Sequence, residues 1–182
     1  MVETDEHRSW VLASQNGDHA AFEALVKTHQ QMIHALAFRM TGSMADAEDL
    51  AQETFIQAHR QMGRFRGDSA FSSWLYRIAV NQCLNWRQRD LRRRKLHEGM
   101  EPMESHSTGA DDATLKRVQA ALMKLHPKQR AAVVLTVYDG HSHAEAARLL
   151  GVSETTVSWR LFAARGKLKR WLSANTTGVR DE

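Results

Sequence analysis

A chain of 182 residues can bury one sizeable core or two small ones. Its 25 Lys plus Arg residues only slightly outnumber its 21 Asp plus Glu residues, and the pI lies near 9.5, so the distribution of charge is more informative than its total. No apolar run is long enough to span a bilayer, and we expect a cytoplasmic protein that is neither secreted nor inserted in a membrane.

The first half of the chain carries apolar residues at helical spacing. From Ala20 to about Arg94 they recur every three or four positions, as in Phe22, Leu25 and Val26. No stretch alternates with period two over a useful length. The sequence therefore predicts an all-α fold that begins with a small helical domain over residues 1–95, in which the lone cysteine, Cys83, is a core residue without a disulfide partner.

A helix with an acidic outer face is predicted after Ser43, whose side chain can cap it. The apolar residues of this segment share one face, which leaves Asp49, Gln52 and Glu53 outward at positions i, i+3 and i+4. The helix dipole explains an acid in the first turn, such as Asp46, but explains Glu53 less well. This acidic patch suits a basic protein partner and does not suit DNA.

A loop rich in Gly and Arg comes next, from Gly63 to Ala70, before a long helix that Asp68 or Ser69 is expected to cap. A base pulled out of a duplex needs an aromatic or apolar wall, and its phosphates need cations. Phe65 can supply the wall, and Arg64 and Arg66 can supply the cations.

The long helix after this loop combines core and basic residues. Phe71, Trp74, Leu75 and Ile78 recur at core spacing, and for Phe71 the core interpretation is favoured over a stacking platform. A basic run follows with one acid, Asp90, among its members. A solvated face would explain such a run, but a stripe that tracks phosphates is favoured because the helix begins beside the loop. The run comprises Arg87, Arg89, Arg92, Arg93, Arg94 and Lys95.

Residues 96–113 are predicted to form a flexible acidic linker, because the chain there becomes polar and gains Gly and Pro. Helical periodicity returns at Leu115 and predicts a second small helical domain over residues 114–182. The carboxylates of the linker are Glu98, Glu101, Glu104, Asp111 and Asp112.

The second domain contains the pattern of a helix-turn-helix. Ser142 and Glu145 have capping-box spacing and predict a helix from His143 through Leu150. Gly151 can adopt the left-handed turn that ends it, and Ser153 can cap the next helix.

The second helix of this pair separates apolar from polar and aromatic residues. Val157, Leu161, Ala164 and Leu168 share one face. The start of a recognition helix enters the major groove, where hydroxyls and apolar groups can contact bases and Arg and Lys can contact phosphates. An ordinary helical hairpin with a solvated basic face is the alternative. The outer residues of the N-terminal half are Thr155, Thr156, Ser158, Trp159 and Phe162.

Catalytic and metal chemistry have little support in the sequence. His141 and His143 are two residues apart with no nearby Cys or third ligand, which does not favour a zinc site. No Gly-rich phosphate loop or nucleophile elbow occurs. We therefore expect neither an enzyme nor a cofactor.

Three ordered motifs resemble the sigma-70 family of RNA polymerase sigma factors, specifically the small extracytoplasmic-function (ECF) type. The resemblance covers roughly residues 20–94 and 115–172. The segment 46–55 resembles the family's polymerase-clamp helix, and 65–81 resembles its promoter-melting segment. Residues 125–130 together with 142–169 resemble its C-terminal DNA-reading domain.

The resemblance implies a role for each matched position. Asp49, Gln52 and Glu53 would bind the clamp helices of the polymerase's largest subunit, and the polymerase flap is a further expected contact of the chain. Phe65 and Asn81 would line a pocket for a flipped base of the minus-ten element, with Trp74 and Arg77 near the melting junction. The residues implied for the minus-thirty-five element are Ser158, Trp159 and Phe162, with Thr156 and Arg160 near the DNA backbone.

This sequence departs from the commoner family pattern in its recognition helix. The pattern has a basic residue at position 158, a small one at 159 and often Arg at 163, whereas here these are Ser158, Trp159 and Ala163. Fewer guanidinium contacts to guanine are expected. By the same resemblance, an anti-sigma factor is an expected partner.

Two readings of the whole chain are compared. In the first, the protein is an initiation subunit that binds core polymerase, promoter duplex and the melted strand. In the second, it is an autonomous helix-turn-helix regulator that binds duplex operators. The second reading explains neither the acidic patch nor the aromatic loop, so the first is favoured.

Overall fold

The protein is described by a computed structural model that covers residues 5–96 and 110–174, with side chains for residues 5–86 and 113–173. All regular secondary structure in these ranges is helical, as predicted. None of the helices in the described part of the chain is long and apolar enough to cross a membrane. The helices of the first range are α1 (Asp5–Gln15), α2 (His19–Thr41), α3 (Met44–Gln61), a short 3-10 turn (Met62–Arg64) and α4 (Phe71–Leu96).

The second range contains four further α-helices. The second of them, which ends at Val133, continues directly into one stretch of π-helix, Val134–Tyr138. The contacts between residues divide the chain into two compact units, Met1–Cys83 and Leu84–Glu182. The boundary between the units therefore falls inside α4. The helices are α5 (Ala110–Lys124), α6 (Pro127–Val133), α7 (His143–Leu150) and α8 (Glu154–Ala174).

In the first unit, helix α2 packs against both α1 and α3. A two-residue turn joins α2 to α3: Gly42 ends α2 in the left-handed region at φ 76°, and the Ser43 side chain accepts the Asp46 N–H at 3.2 Å. The cap at Ser43 is the predicted one. The short turn forces α2 and α3 to run antiparallel and side by side.

The core of the first unit consists of the apolar faces that the periodicity predicted, together with residues of α4. Phe71 and Leu75 are fully buried, which confirms the core interpretation of Phe71, and Cys83 is buried as expected. Burial raises the pKa of the Cys83 thiol to about 12. Helix α1 was not predicted as a core element, and of its residues only Val11 is buried.

The second unit is organised around the buried side chain of Arg130. Its guanidinium donates to the carbonyl oxygens of Leu122, Met123 and Leu125 at 2.8, 2.6 and 3.3 Å. These carbonyls lie in the last turn of α5 and just beyond it, where few backbone N–H groups remain to bond them, although the Leu122 oxygen also accepts the Leu125 N–H at 3.1 Å. Arg130 therefore closes the end of α5 against α6. The apolar cluster beside it contains Leu122, Leu125, Val133 and Ala164, with Leu161, Leu168 and Trp171 packed against it.

Two local predictions about boundaries differ from the structure. The expected cap at Asp68 or Ser69 is wrong, because α4 begins at Phe71 and the Asp68 carboxylate instead pairs with Arg66 at 3.1 Å. Helix α5 begins at Ala110, inside the range predicted as linker. Of the predicted linker, residues 97–109 lie outside the described residues.

Candidate functional site

The acidic patch on α3 is fully open to solvent. Asp49, Gln52 and Glu53 are all exposed, whereas Leu50 and Ala51 beside them are buried. The buried face of α3 packs on α2 and fixes the orientation of the helix. The structure thus brings the three predicted residues together on one outward face, as the i, i+3, i+4 spacing implies.

A groove of about 960 Å³ lies beside this patch, between α2 and α3. Asp49 and Gln52 contribute to its wall, and Phe22, Val26 and Ile56 give it an apolar floor and side. Ile56 is 39% exposed, so apolar surface is accessible next to the carboxylates. Sequence reasoning missed this groove, because its two walls come from different helices. A protein partner could bury the apolar lining of the groove and pair with the carboxylates at its edge, because protein interfaces combine an apolar core with a polar rim.

The loop before α4 is built on an aromatic cluster. The Phe65 ring lies 5.9 Å from the Phe71 ring and 5.0 Å from the Trp74 ring, and Phe71 lies 5.6 Å from Trp74. Phe65 is only 8% exposed. The expectation that Phe65 offers an open wall to a base does not match this structure, in which its ring packs in the cluster.

The burial of Phe65 depends on a contact with α1. The Gln15 side-chain amide donates to the carbonyl oxygens of Met62 and Phe65, at 3.2 and 2.6 Å. These two bonds join the end of α1 to the loop, about fifty positions away in sequence. Sequence reasoning gave no signal for this contact, because Gln15 stands in a helix that was not predicted.

The two arginines of the loop point to solvent. Arg64 and Arg66 are exposed, and Arg66 pairs with Asp68 at 3.1 Å, where both side chains are more than 70% exposed. An exposed pair of this kind contributes little stability. The Arg66 guanidinium can therefore exchange its carboxylate for a phosphate with little loss.

One face of α4 extends this basic surface. Arg77 and Asn81 are exposed and Trp74 is half-buried, and their spacing of i, i+3 and i+7 places them in one row. The row starts at the aromatic cluster and runs away from the loop. The basic run predicted from Arg87 to Lys95 lies outside the described side chains.

The helix-turn-helix is formed as predicted. The Ser142 backbone N–H donates to the Glu145 carboxylate at 2.8 Å, and the Ser142 hydroxyl accepts the Glu145 N–H at 3.2 Å, which completes the capping box. These bonds from Ser142 lower the pKa of Glu145. Gly151 ends α7 at φ 61°, and Ser153 accepts the Thr156 N–H at 3.2 Å at the start of α8.

The outer face of α8 carries two large apolar side chains in solvent. Trp159 is 65% exposed and Phe162 is 80% exposed, while Val157 and Ala164 on the opposite face are fully buried. Trp159 therefore lies on the outer face of α8, as expected from the sequence. Thr156 and Arg160 are half-buried at the edge of the outer face, and burial lowers the pKa of Arg160.

A hydrogen bond joins the two helices of the motif. The Nδ1 atom of His143, at the start of α7, lies 3.0 Å from the Oγ atom of Ser158 on α8. From the sequence alone, His143 is considered only as a metal ligand, and that role is not favoured. Within the described residues, no group of three side chains that could hold a metal ion occurs. Its position indicates a structural link to a predicted DNA-reading residue.

Several cationic side chains lie near the N-terminus of α6 and along one side of α8. The Lys167 ammonium donates to the Gln129 side chain at 3.1 Å. The pKa of His126 is lowered by burial and then by the charges of Lys128, Lys167 and Arg160. An anion placed near these cations would be attracted by several charges at once.

Comparison with known proteins assigns both units to one family. Residues 25–94 match the family described as Sigma-70 region 2, and residues 115–168 match Sigma-70, region 4. The ECF RNA polymerase sigma factor SigM of Mycobacterium tuberculosis is 42% identical over 168 residues, covering 90% of this chain and 83% of the relative.

Two solved structures are similar to the chain over most of its length. The structure of CnrH in complex with the cytosolic domain of CnrY has a TM-score of 0.69 at 33% identity and covers 93% of this chain and 99% of that one. The sigma factor RpoE of Bartonella quintana, in complex with the anti-sigma factor NepR, has a TM-score of 0.69 at 26% identity and covers 84% of this chain and 96% of that one.

Proposed function

The chain belongs to the sigma-70 family as a sigma factor of the ECF type, and from this premise we propose how its two units perform promoter-specific initiation. As a member of that family it binds core RNA polymerase and directs it to promoters. The polymerase carries out the chemistry, and the role of this chain is binding. The observation that carries the assignment is the match of both units, in order, within one chain.

We propose that the outer face of α3 binds the clamp helices of the polymerase's largest subunit. Asp49, Gln52 and Glu53 would contact basic side chains there, and the groove between α2 and α3 would take an apolar side chain of the partner. Charge complementarity of this kind speeds association and fixes register, while burial of apolar surface supplies affinity.

We propose that the loop before α4, with the row on α4, captures the melted strand of the minus-ten element. Arg64, Arg66 and Arg77 are exposed and can bind phosphates, and Asn81 can bond a base edge. Phe65 would contribute indirectly, because its ring packs against the Trp74 ring at a centroid distance of 5.0 Å and supports it. In this proposal the half-buried Trp74 is the aromatic surface nearest to the DNA.

We propose that the start of α8 reads the minus-thirty-five element as duplex DNA. Ser158, Trp159 and Phe162 are exposed there, and Thr156 and Arg160 lie at the edge, where the DNA backbone would run. The flap of the polymerase would hold this unit at the required distance from the first one. Joining two weak readers in one chain makes the second contact effectively intramolecular.

We also propose control by an anti-sigma factor and action in the cytoplasm. The similar RpoE of Bartonella quintana was solved with an anti-sigma factor, which supports a partner of the same kind for this chain. The autonomous helix-turn-helix regulator is not favoured, because the family match includes the polymerase-binding unit.

Reconstitution tests the function directly. The purified chain is added to bacterial core polymerase with a library of genomic fragments from its host, and transcripts are mapped. Start sites that share upstream and downstream elements and need the chain are expected. Specific duplex binding by the chain alone, with no polymerase-dependent transcript, would instead favour the autonomous regulator.

A further inference from the structure

The exposed face at the start of α8 contains no cationic side chain. Over residues 154–162 the only Lys or Arg is Arg160, which is half-buried at the edge of that face. Arginine that bonds both O6 and N7 is the commonest specific reader of guanine. This face therefore lacks the usual device for selecting a G·C pair. Its exposed residues are Glu154, Thr155, Ser158, Trp159 and Phe162.

Two of the three hydroxyls near this face already have partners in the same unit. Ser158 Oγ lies 3.0 Å from His143 Nδ1, and Thr156 Oγ1 lies 2.9 Å from Ser153 Oγ. Both hydroxyls are held in place by these bonds and have reduced capacity for new ones. The largest surface available for contact with bases is therefore aromatic.

The aromatic pair occupies adjacent positions on the helix. Trp159 and Phe162 stand three residues apart, so they neighbour each other along one face, and they are 65% and 80% exposed. Exposed apolar surface of this size indicates an interaction site. Arg165, Lys169 and Arg170 are exposed farther along the same helix, so the occupant of the face is expected to be polyanionic. Duplex DNA meets both requirements when a helix start enters its major groove.

Given the sigma-factor function proposed above, on which this inference rests, we propose that Trp159 and Phe162 read the C5-methyl groups of thymines in the minus-thirty-five element. The thymine methyl is the one apolar group that a base pair presents in the major groove. Specificity at this element then comes from T·A pairs recognised by apolar contact, with guanidinium contacts to guanine playing a minor part.

The test removes single methyl groups from the DNA. Duplexes are first enriched from a pool with a randomised upstream element by binding to the reconstituted holoenzyme. Each thymine of the enriched element is then replaced by deoxyuridine, which lacks only the methyl. Replacement at one or more positions is expected to weaken holoenzyme binding about three- to fourfold, as for one buried methyl group. Replacing guanines by 7-deazaguanine, which lacks the N7 acceptor, is expected to have little effect.

Variants of the protein assign the effect to the aromatic pair. Each single variant, Trp159→Ala or Phe162→Ala, is expected to lose the preference for thymine over deoxyuridine at one or more positions, and the double variant is expected to bind the two kinds of duplex equally. Both side chains are mostly exposed, so these variants are expected to fold, which circular dichroism checks.

Several outcomes would overturn the inference. The first is that deoxyuridine duplexes bind wild-type holoenzyme as well as thymine duplexes do. The second is that the double variant keeps the thymine preference. The third is that the variants bind the DNA with unchanged affinity, which would assign the aromatic pair to a protein partner. Failure to enrich any element with holoenzyme would instead count against the proposed function, so the two failures are distinguishable.

Discussion

The Nδ1 atom of His143 and the Oγ atom of Ser158 lie 3.0 Å apart, and this bond joins the first turn of α7 to the outer face of α8. The His143 tautomer decides which of the two atoms donates, and in either case the bond occupies one hydrogen-bonding position of the Ser158 hydroxyl. Ser158 therefore has fewer positions left for DNA than a free serine has.

This link predicts that His143 and Ser158 act as one unit in promoter binding. His143→Ala and Ser158→Ala are expected to be non-additive by about 1 kcal/mol, roughly fivefold in affinity, which is typical of one hydrogen bond. Holoenzyme binding to the upstream element, measured for the double-mutant cycle, checks this. Thr155 is the matched control, since its hydroxyl is exposed on the same face, and His143→Ala with Thr155→Ala is expected to be additive. Additive effects in the His143 and Ser158 cycle would contradict the prediction.

The hydrogen bonds of the buried Arg130 side chain predict a large loss of stability when this residue is replaced. Arg130→Met would remove this donor from the Leu122, Met123 and Leu125 carbonyl oxygens, of which the Leu122 oxygen keeps the Leu125 N–H at 3.1 Å. An unsatisfied buried acceptor costs about 1 to 3 kcal/mol, so with two acceptors affected we expect the second unit to lose at least about 2 kcal/mol. Urea unfolding followed by circular dichroism measures the loss. Arg165→Met, an exposed change of the same chemistry, is expected to stay within about 0.5 kcal/mol. Equal stability of the two variants would refute the assigned role.

The burial of Cys83 predicts that its thiol reacts slowly in the folded protein. Its pKa of about 12 leaves almost no thiolate in the folded protein at neutral pH, and the side chain is only 2% exposed. A thiol reagent at about pH 8, slightly below the ordinary cysteine pKa, is expected to label the native protein slowly and the denatured protein at once. Rapid labelling of the native protein would show that the core around α4 opens easily.

The lowered pKa of His126 predicts that the stability of the second unit depends on pH. Its pKa in the folded protein lies below the ordinary histidine value of about 6.5, so the unfolded state binds the proton more readily and stability falls as pH drops below that value. Protonation also removes the Nδ1 acceptor that caps α6 through the Lys128 N–H at 3.3 Å. His126→Asn keeps a capping acceptor and does not titrate. The urea midpoint of the wild type should therefore fall more steeply below about pH 6.5 than that of the variant. Parallel curves would contradict this.

Features set by neighbours in sequence were predictable. The caps at Ser43, Ser142 and Ser153 and the turn at Gly151 depend on residues within three or four positions, and all four occur as expected. The acidic patch and the outward position of Trp159 follow from helical periodicity in the same way. The predicted cap at Asp68 or Ser69 failed because α4 begins only at Phe71, and the Ala70 carbonyl oxygen accepts the Trp74 N–H at 3.1 Å there.

Features set by distant contacts were not predictable. Phe65 has the composition of a base-binding loop around it, yet its ring is buried because Phe71 and Trp74 pack on it and Gln15 holds the loop from α1. The groove beside Asp49 needs both α2 and α3 in place. A single sequence carries periodicity and caps, but does not show which side chains from separate helices meet.

The most direct test of polymerase binding through α3 measures the affinity of the chain for core RNA polymerase. Wild type is compared with Asp49→Arg, Glu53→Arg, and with Asp5→Arg, Glu6→Arg as a control that makes the same charge change at exposed positions of α1. Like charges across an interface cost several kcal/mol, so the α3 reversal is expected to weaken binding at least about tenfold while the α1 reversal leaves it near wild type. Wild-type affinity in the α3 reversal, with its helical content unchanged, would contradict the account.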